Sequence, residues 1–192
     1  MNLHAERHLQ TSTQLIAAYD GKEPLASYLK KYFSMHKKHG SKDRKAIVAN
    51  CYAHFRTLAS KFPLGEHISD QINQEALIQS YSLQPLLFLR IRPGKKTNVL
   101  QSLQSAAIVF KQIGDDVLAL QNTISIDKVL QINKEVVIQD LNSQAFKKIL
   151  SSIRDQVKSV WDVCAASGGK SILMYDVLDK PYLTLTDIRA SI

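Results

Sequence analysis

Asp162-Val163-Cys164-Ala165-Ala166-Ser167-Gly168-Gly169-Lys170 is the stretch on which the reading of this fold turns. Before it, Val157 to Val163 reads as a strand. After it, Ser171 to Leu178 fits a short helix, and Tyr182 to Thr186 a second strand that ends at Asp187. Strand, small-residue turn, helix, strand is a β-α-β unit, the opening of a doubly wound sheet. Five small residues, Ala165 to Gly169, leave the backbone unobstructed. Their N–H groups at a helix N-terminus suit an anionic group. Asp187 lies 17 positions beyond Lys170. In nucleoside-binding α/β folds a carboxylate at that strand end accepts the ribose hydroxyls.

Two other ligand classes share the geometry. Gly169-Lys170-Ser171 matches the end of a phosphate-binding GxxxxGK[ST] loop, but Cys164 stands at the first glycine. A dinucleotide fold wants GxGxxG, and that spacing does not occur. A purely structural turn is the bland reading, and packing alone gives little reason for five small residues in a row.

Working toward the N-terminus, Ala145, Ile149 and Ile153 recur at helical spacing, so a third part spans 142–192. Before it, 84–141 reads as a small α+β module. Leu86 to Ile91 is a short apolar strand closed by Pro93-Gly94. Thr97 is placed to cap a helix reaching about Lys111, and Asp116–Leu120 and Val136–Ile138 read as further strands. The first part, 1–83, reads as a helical bundle. Pro24 suits the first position of a helix carrying Leu25, Tyr28, Leu29, Tyr32 and Phe33, with Gly40 as its terminator. Ser41 is expected to cap the next helix, with Asp43 in its first turn and Ile47, Val48, Cys51, Tyr52, Phe55 and Leu58 as its apolar stripe.

Charge is unevenly placed. The 192 residues carry a net +8, and 45% of them are hydrophobic, enough for a core. Residues 30–61 hold nine Lys/Arg against Asp43 alone, and 84–111 hold five with no acid, so the remainder is acidic. Concentrated basic segments point to a polyanionic partner. Met1 to Gln10 does not resemble a signal peptide, and no apolar run approaches the roughly 18 residues of a membrane helix. Cys51 and Cys164 read as reduced thiols of a cytoplasmic protein. The histidines (His4, His8, His36, His39, His54, His67) have no metal-motif spacing and are expected to face solvent or RNA. Trp161 is expected under the sheet, and Asp176 and Asp179 on the surface.

Asp162 to Lys170 closely resembles the DxCAAPGGK motif of the Sun/Fmu family of RNA 5-methylcytosine methyltransferases. Gln139-Asp140-Leu141-Asn142-Ser143-Gln144 is similar to the QD-x-x-SQ segment before that family's catalytic domain. Leu89-Arg90-Ile91-Arg92 is similar to its LRxN strand, and the basic helices at 24–60 resemble its NusB-like RNA-binding domain. The resemblance implies a NusB-like bundle, a pre-catalytic α+β module and the first β-α-β of a Rossmann-like methyltransferase domain. It implies S-adenosylmethionine as cofactor, with Cys164, Ala165, Ala166, Ser167, Gly168, Gly169 and Lys170 wrapping its methionine and ribose, and Asp187 holding the ribose hydroxyls. It implies methylation of a cytosine C5 in RNA, with ribosomal RNA as the expected substrate. Lys37, Lys38, Lys42, Arg44, Lys45, Arg90, Arg92, Lys95 and Lys96 would meet RNA phosphates. Ser167 replaces the family's proline, and Arg92 its asparagine.

C5 chemistry needs a thiolate. In the resembled family the nucleophile lies in later motifs, and the motif cysteine lies against the cofactor, so Cys164 is not assigned that role. The chain stops at Ile192, five residues past Asp187. The expectation is an N-terminal fragment without catalytic cysteines, inactive alone, whose residues 157–192 are poorly ordered or buried against a second copy. A stand-alone RNA-binding module with a non-catalytic methyltransferase remnant is the alternative.

Overall fold

The computed structural model describes residues 3–59, 61 and 68–189, and is a mixed α/β chain of two compact units, 1–84 and 85–192. His67 lies outside the described residues. None of the helices described is long and apolar enough to cross a membrane.

The first unit is helical: α1 (Leu3–Ala18), α2 (Leu25–Met35), α3 (Ser41–Ala59) and α4 (Gln74–Ser82). Its core gathers Leu15, Leu29, Phe33, Ile47 and Cys51. Leu58 stays outside, 41% exposed. The helix after Pro24 ends at Met35, not at Gly40. Gly40 instead precedes α3: its carbonyl accepts from Arg44 N and its own N–H donates to Asp43 Oδ2 at 2.9 Å. Ser41 is therefore the first helical residue and not the cap, and Asp43 makes the reaching-back half of a capping box.

The second unit opens with an antiparallel four-stranded sheet: β1 (Leu87–Ile91), β2 (Phe110–Gln112), β3 (Val117–Leu120) and β4 (Val136–Ile138), in the order β2-β3-β1-β4. Alternation along β1 sends Leu89 and Ile91 to one face, where α5 (Lys96–Ser105) supplies Val99 and Leu103. Arg90 goes to the other face with Ala119 and Val137, all of them buried.

The helix expected to run to Lys111 stops at Ser105, and Lys111 lies in β2. Ala107, at φ 52°, closes α5 in a left-handed turn, with Ile108 N donating to Leu103 O and Ala107 N to Gln104 O, both at 2.9 Å. This is a Schellman ending with alanine where glycine is usual.

The chain continues through α6 (Leu141–Ala145) and α7 (Lys147–Ser152). A break at Phe146 resets the helical phase, so Gln144 and Leu150 are buried while Ala145, Ile149 and Ile153 are exposed, opposite to the expected stripe. Then come β5 (Ser159–Asp162), α8 (Gly169–Val177) and β6 (Tyr182–Leu185). β5 and β6 pair in parallel, Ser159 with Tyr182 through Asp162 with Leu185. Leu150, Leu173, Met174 and Leu178 form a core with Val160 and Leu183 on one face of this pair. Trp161 is not under the sheet: it is 65% exposed on the opposite face, its indole N–H donating to Thr186 Oγ1 at 3.0 Å.

Candidate functional site

The glycine-rich turn leaves β5 at Asp162 and enters α8 at Gly169. Asp162 anchors both ends. One carboxylate oxygen accepts from Cys164 N at 3.3 Å, the other from the buried Ser171 hydroxyl at 2.6 Å. Ala165 N donates to Thr186 O, which ties the turn to the end of β6. Gly168 caps α8 at φ 80°, a left-handed position for which a residue without Cβ is suited. Its N–H bonds back to Ala165 O at 2.8 Å.

The carboxylate of Asp187, at the end of the second strand, reaches the turn. It accepts from Ala166 N at 2.8 Å. It also pairs with Arg189, whose Nε lies 3.1 Å away. The Arg189 guanidinium, then the backbone N–H groups of Arg189 and Ala166, hold this carboxyl far below the usual carboxylate range. The end of the second strand places Asp187 beside the turn, as its position after Tyr182–Thr186 implies, and Arg189, two residues on, carries no sequence signal for its pairing there.

Beside the turn lies a cavity of about 200 Å³, lined by Cys164, Ala165, Ala166, Ser167, Gly169 and Lys170 on one side, and by Ile138, Gln139, Asp140 and Ser143 on the other. Seven-residue proximity in sequence explains the first wall. The second comes from the end of β4 and the segment after it, much earlier in the chain. Gln139 makes the junction: its amide donates to Gly169 O at 3.2 Å, while its backbone carbonyl accepts from the Gln144 amide at 2.8 Å.

Arg90 extends this junction along α8. Its Nε donates to Gln139 Oε1 at 3.1 Å and its Nη1 to Asp176 Oδ2 at 2.7 Å. Arg92 donates to the same carboxylate, with Nη2 2.7 Å from Oδ1. That hydrogen bond raises Arg92 above the usual guanidinium range. The sheet thus holds α8 near both ends, at Gly169 through Gln139 and at Asp176 through the two arginines. Cations at a helix C-terminus also meet its negative dipole end.

Two expectations are corrected here. Arg90 does not face RNA: its side chain is 3% exposed, with Nε and Nη1 bonded internally and Nη2 buried without a partner. Asp176 is not a surface acid: its side chain is 5% exposed. Arg92, with a side chain 22% exposed, is likewise bound to Asp176 and to Asn133 O. Gln139 opens the QD-x-x-SQ-like segment, but its place against Gly169, like that of Asp176 against the two arginines, is revealed only by long-range partners.

The other basic residues divide. Lys37, Lys38, Lys42 and Lys45 are exposed in the helical unit, as are Lys95 and Lys96 in the second unit. Arg44 is half-buried and donates through Nε to His39 O at 2.8 Å, so it braces the turn before α3. The histidines engage neighbours: His8 Nε2 lies 2.8 Å from Asp43 Oδ1, and His36 stacks on Tyr32. Among the described residues no group of three His, Cys, Asp or Glu could hold a metal ion. Cys51 is buried in the helical core, and burial pushes its thiol up; Cys164 is exposed in the turn.

No protein-family model matches this chain. No curated protein matches it. Among solved structures, the fold is similar to that in the crystal structure of PH0851, with a TM-score of 0.55 and 15% identity. The match covers 97% of this chain and 47% of that one, so this chain spans about half the neighbour's length. At that identity the likeness shows the fold alone.

Proposed function

We propose that this chain is the N-terminal part of an S-adenosylmethionine-dependent RNA (cytosine-C5) methyltransferase, resembling the Sun/Fmu family. In this reading 1–83 is a NusB-like RNA-binding bundle and the β5-α8-β6 unit begins a Rossmann-like domain. One observation carries it: a bare-backbone turn at a helix N-terminus, with the Asp187 carboxylate from the next strand end bonded to that turn at Ala166.

The residues present fit one end of such a cofactor. A Cβ on Gly168 would meet nothing within 4 Å, and one on Gly169 would approach only the Gln139 amide, at 3.9 Å. At Gly169 the backbone therefore lies open to the cavity. Small-molecule sites usually enclose about 300–1,000 Å³, and this cavity is about 200 Å³, enough for part of the ligand. When bound, the cofactor supplies an electrophilic methyl group. The turn from Cys164 to Lys170 would hold its methionine and ribose portion. Asp187 would accept from ribose hydroxyls, with the 60%-exposed Arg189 side chain turning aside. Gln139 would fix the wall opposite the turn.

Cytosine C5 transfer requires a thiolate at C6 of the base. Cys51 is buried in the helical core and Cys164 belongs to the cofactor turn, so neither supplies it. The 192 residues alone are therefore expected to bind cofactor and RNA without transferring methyl. Ultraviolet cross-linking of labelled S-adenosylmethionine to the chain should mark peptides within 162–187. Labelling confined to the helical unit would contradict the reading, as would methyl transfer to unmodified ribosomal RNA by these residues alone.

The Asp187–Arg189 pair favours a second reading, an RNA-binding module whose methyltransferase remnant holds no cofactor. RNA binding with no cross-link at 162–187 would select it.

A further inference from the structure

Beyond Asp176, at the opposite end of α8 from the glycine-rich turn, lies a cleft of about 300 Å³. Arg92, Lys95, Lys134, Tyr175, Asp179 and Lys180 line it, over a floor made by Asp176. That floor is not acidic in effect. Asp176 is held by both Arg90 and Arg92, two guanidiniums against one carboxylate.

The three lysines reach the rim from three separate segments: Lys95 from the turn after β1, Lys134 from the turn before β4, Lys180 from the turn after α8. All three are exposed, and none is in an ion pair among the described residues. Asp179 is the one further acid among the lining residues, and it is exposed. Like charges gathered around one concavity repel, so their convergence is unfavourable without an anion.

The backbone presents one of the three at unfavourable geometry. Lys180 sits at φ 59°, directly before Pro181, where extended backbone is normally required. Lys134 follows Asn133 at φ 65°, and the Asn133 carbonyl accepts from Arg92 Nη1 at 2.7 Å. Arg92 thereby links the Lys134 turn to the end of α8. The Tyr175 ring, on the last full turn of α8, is 37% exposed at the same cleft.

We propose that this cleft binds the phosphodiester backbone of a single-stranded polynucleotide. Lys95, Lys134 and Lys180 meet phosphates, and Tyr175 offers its ring to an unpaired base. Successive phosphates match cations spread over three segments, and an aromatic face takes a base only when that base is unstacked. An acidic peptide would use the lysines and leave the ring without a partner. The choice of RNA as the polymer rests on the methyltransferase reading; the cleft itself involves no cofactor contact.

The test is fluorescence anisotropy of the 192-residue chain with a short labelled single-stranded RNA, over a series of salt concentrations. Lys134→Ala combined with Lys180→Asn, which keeps a residue tolerant of left-handed backbone, should weaken binding about tenfold or more. It should also flatten the log–log salt slope by about 1.4, two contacts at about 0.7 each. Tyr175→Leu should cost about fivefold or more with the slope unchanged. Lys111→Ala, on the exposed edge of β2, should bind as the unmodified chain does. Thermal melting establishes that each variant is folded.

A folded double variant that keeps both affinity and slope overturns the proposal. So does duplex RNA bound as tightly as the single strand, or polyglutamate competing as well as RNA of equal charge. RNA binding at this cleft without cofactor binding keeps the proposal and sinks the methyltransferase reading. Cofactor binding with RNA affinity and salt slope unchanged in the double variant does the reverse.

Discussion

Two basic stretches of this chain meet opposite fates. Around the start of α3, Lys37, Lys38, Lys42 and Lys45 stand in solvent. In and just after β1, Arg90 and Arg92 turn inward and close on Asp176. The difference is one of geometry and side-chain chemistry. A helical bundle with a narrow apolar stripe leaves most of each helix surface wet, and an ammonium on a flexible stem stays hydrated there. A strand covered on both faces has no wet side at Arg90. A planar, weakly hydrated guanidinium tolerates that position because two fixed acceptors, Gln139 and Asp176, meet its fork. Positive charge in sequence therefore marks a solvent surface in one unit and an internal ion pair in the other.

The largest expected effect separates these fates directly. Arg90→Met leaves Asp176 with one partner and Gln139 with none in its place, and should destabilise the second unit by about 3–5 kcal/mol. Lys42→Ala should change stability by less than about 0.5 kcal/mol. Urea unfolding followed by Trp161, the single tryptophan, reads the first value, and circular dichroism reads the second. Equal, small losses would erase the distinction. Next, a double-mutant cycle of Arg90→Met with Asp176→Asn should show a coupling of at least about 1 kcal/mol, since each change removes the same buried contact. Strict additivity would mean the pair contributes through packing alone.

A smaller effect lies at the end of the second basic stretch. Ala107 holds a left-handed conformation, φ 52°, that glycine adopts at no steric cost. Ala107→Gly should raise stability by about 1 kcal/mol. A loss of similar size would show that the helix ending is held by the alanine methyl.

That position also shows why parts of the fold escape sequence reading. The terminator signal is glycine, and α5 ends on alanine. The β-α-β unit, by contrast, was legible because five small residues and two short apolar runs are local signals. So was the place of Asp187, set by strand length. The Gln139 wall and the Asp176 anchor were not, because their partners lie 30 and 86 residues away respectively. Strand alternation could have flagged Arg90: in Leu89-Arg90-Ile91 it must face away from its apolar neighbours. Only tertiary structure says that the other side is also covered. The Phe146 break, which reverses the faces of α6 and α7, has no helix-breaking residue to announce it.

The smallest effect is one of pH and falls in the first basic stretch. Partial burial, then Lys38 beside it, holds the His39 imidazole below its usual range. The folded helical unit therefore binds fewer protons there than the unfolded chain does. That contribution to stability is complete above about pH 6.5 and is lost as pH falls below it. His39→Gln should flatten the change in melting temperature between about pH 7 and 5. An unchanged pH profile would place the imidazole in solvent. In the second unit the Asp187 carboxyl is lowered too, by the Arg189 guanidinium and then the Arg189 and Ala166 amides, so its contribution persists until pH falls below about 4.

The central claim is that the turn from Asp162 to Lys170 and Asp187 form a cofactor site. Isothermal titration of the folded chain with S-adenosylmethionine tests it most directly. Saturable one-site binding, abolished by Asp187→Ala and by Gly169→Val in variants that still fold, is the predicted result. A folded chain that takes up no cofactor, or one whose binding survives both substitutions, would contradict it.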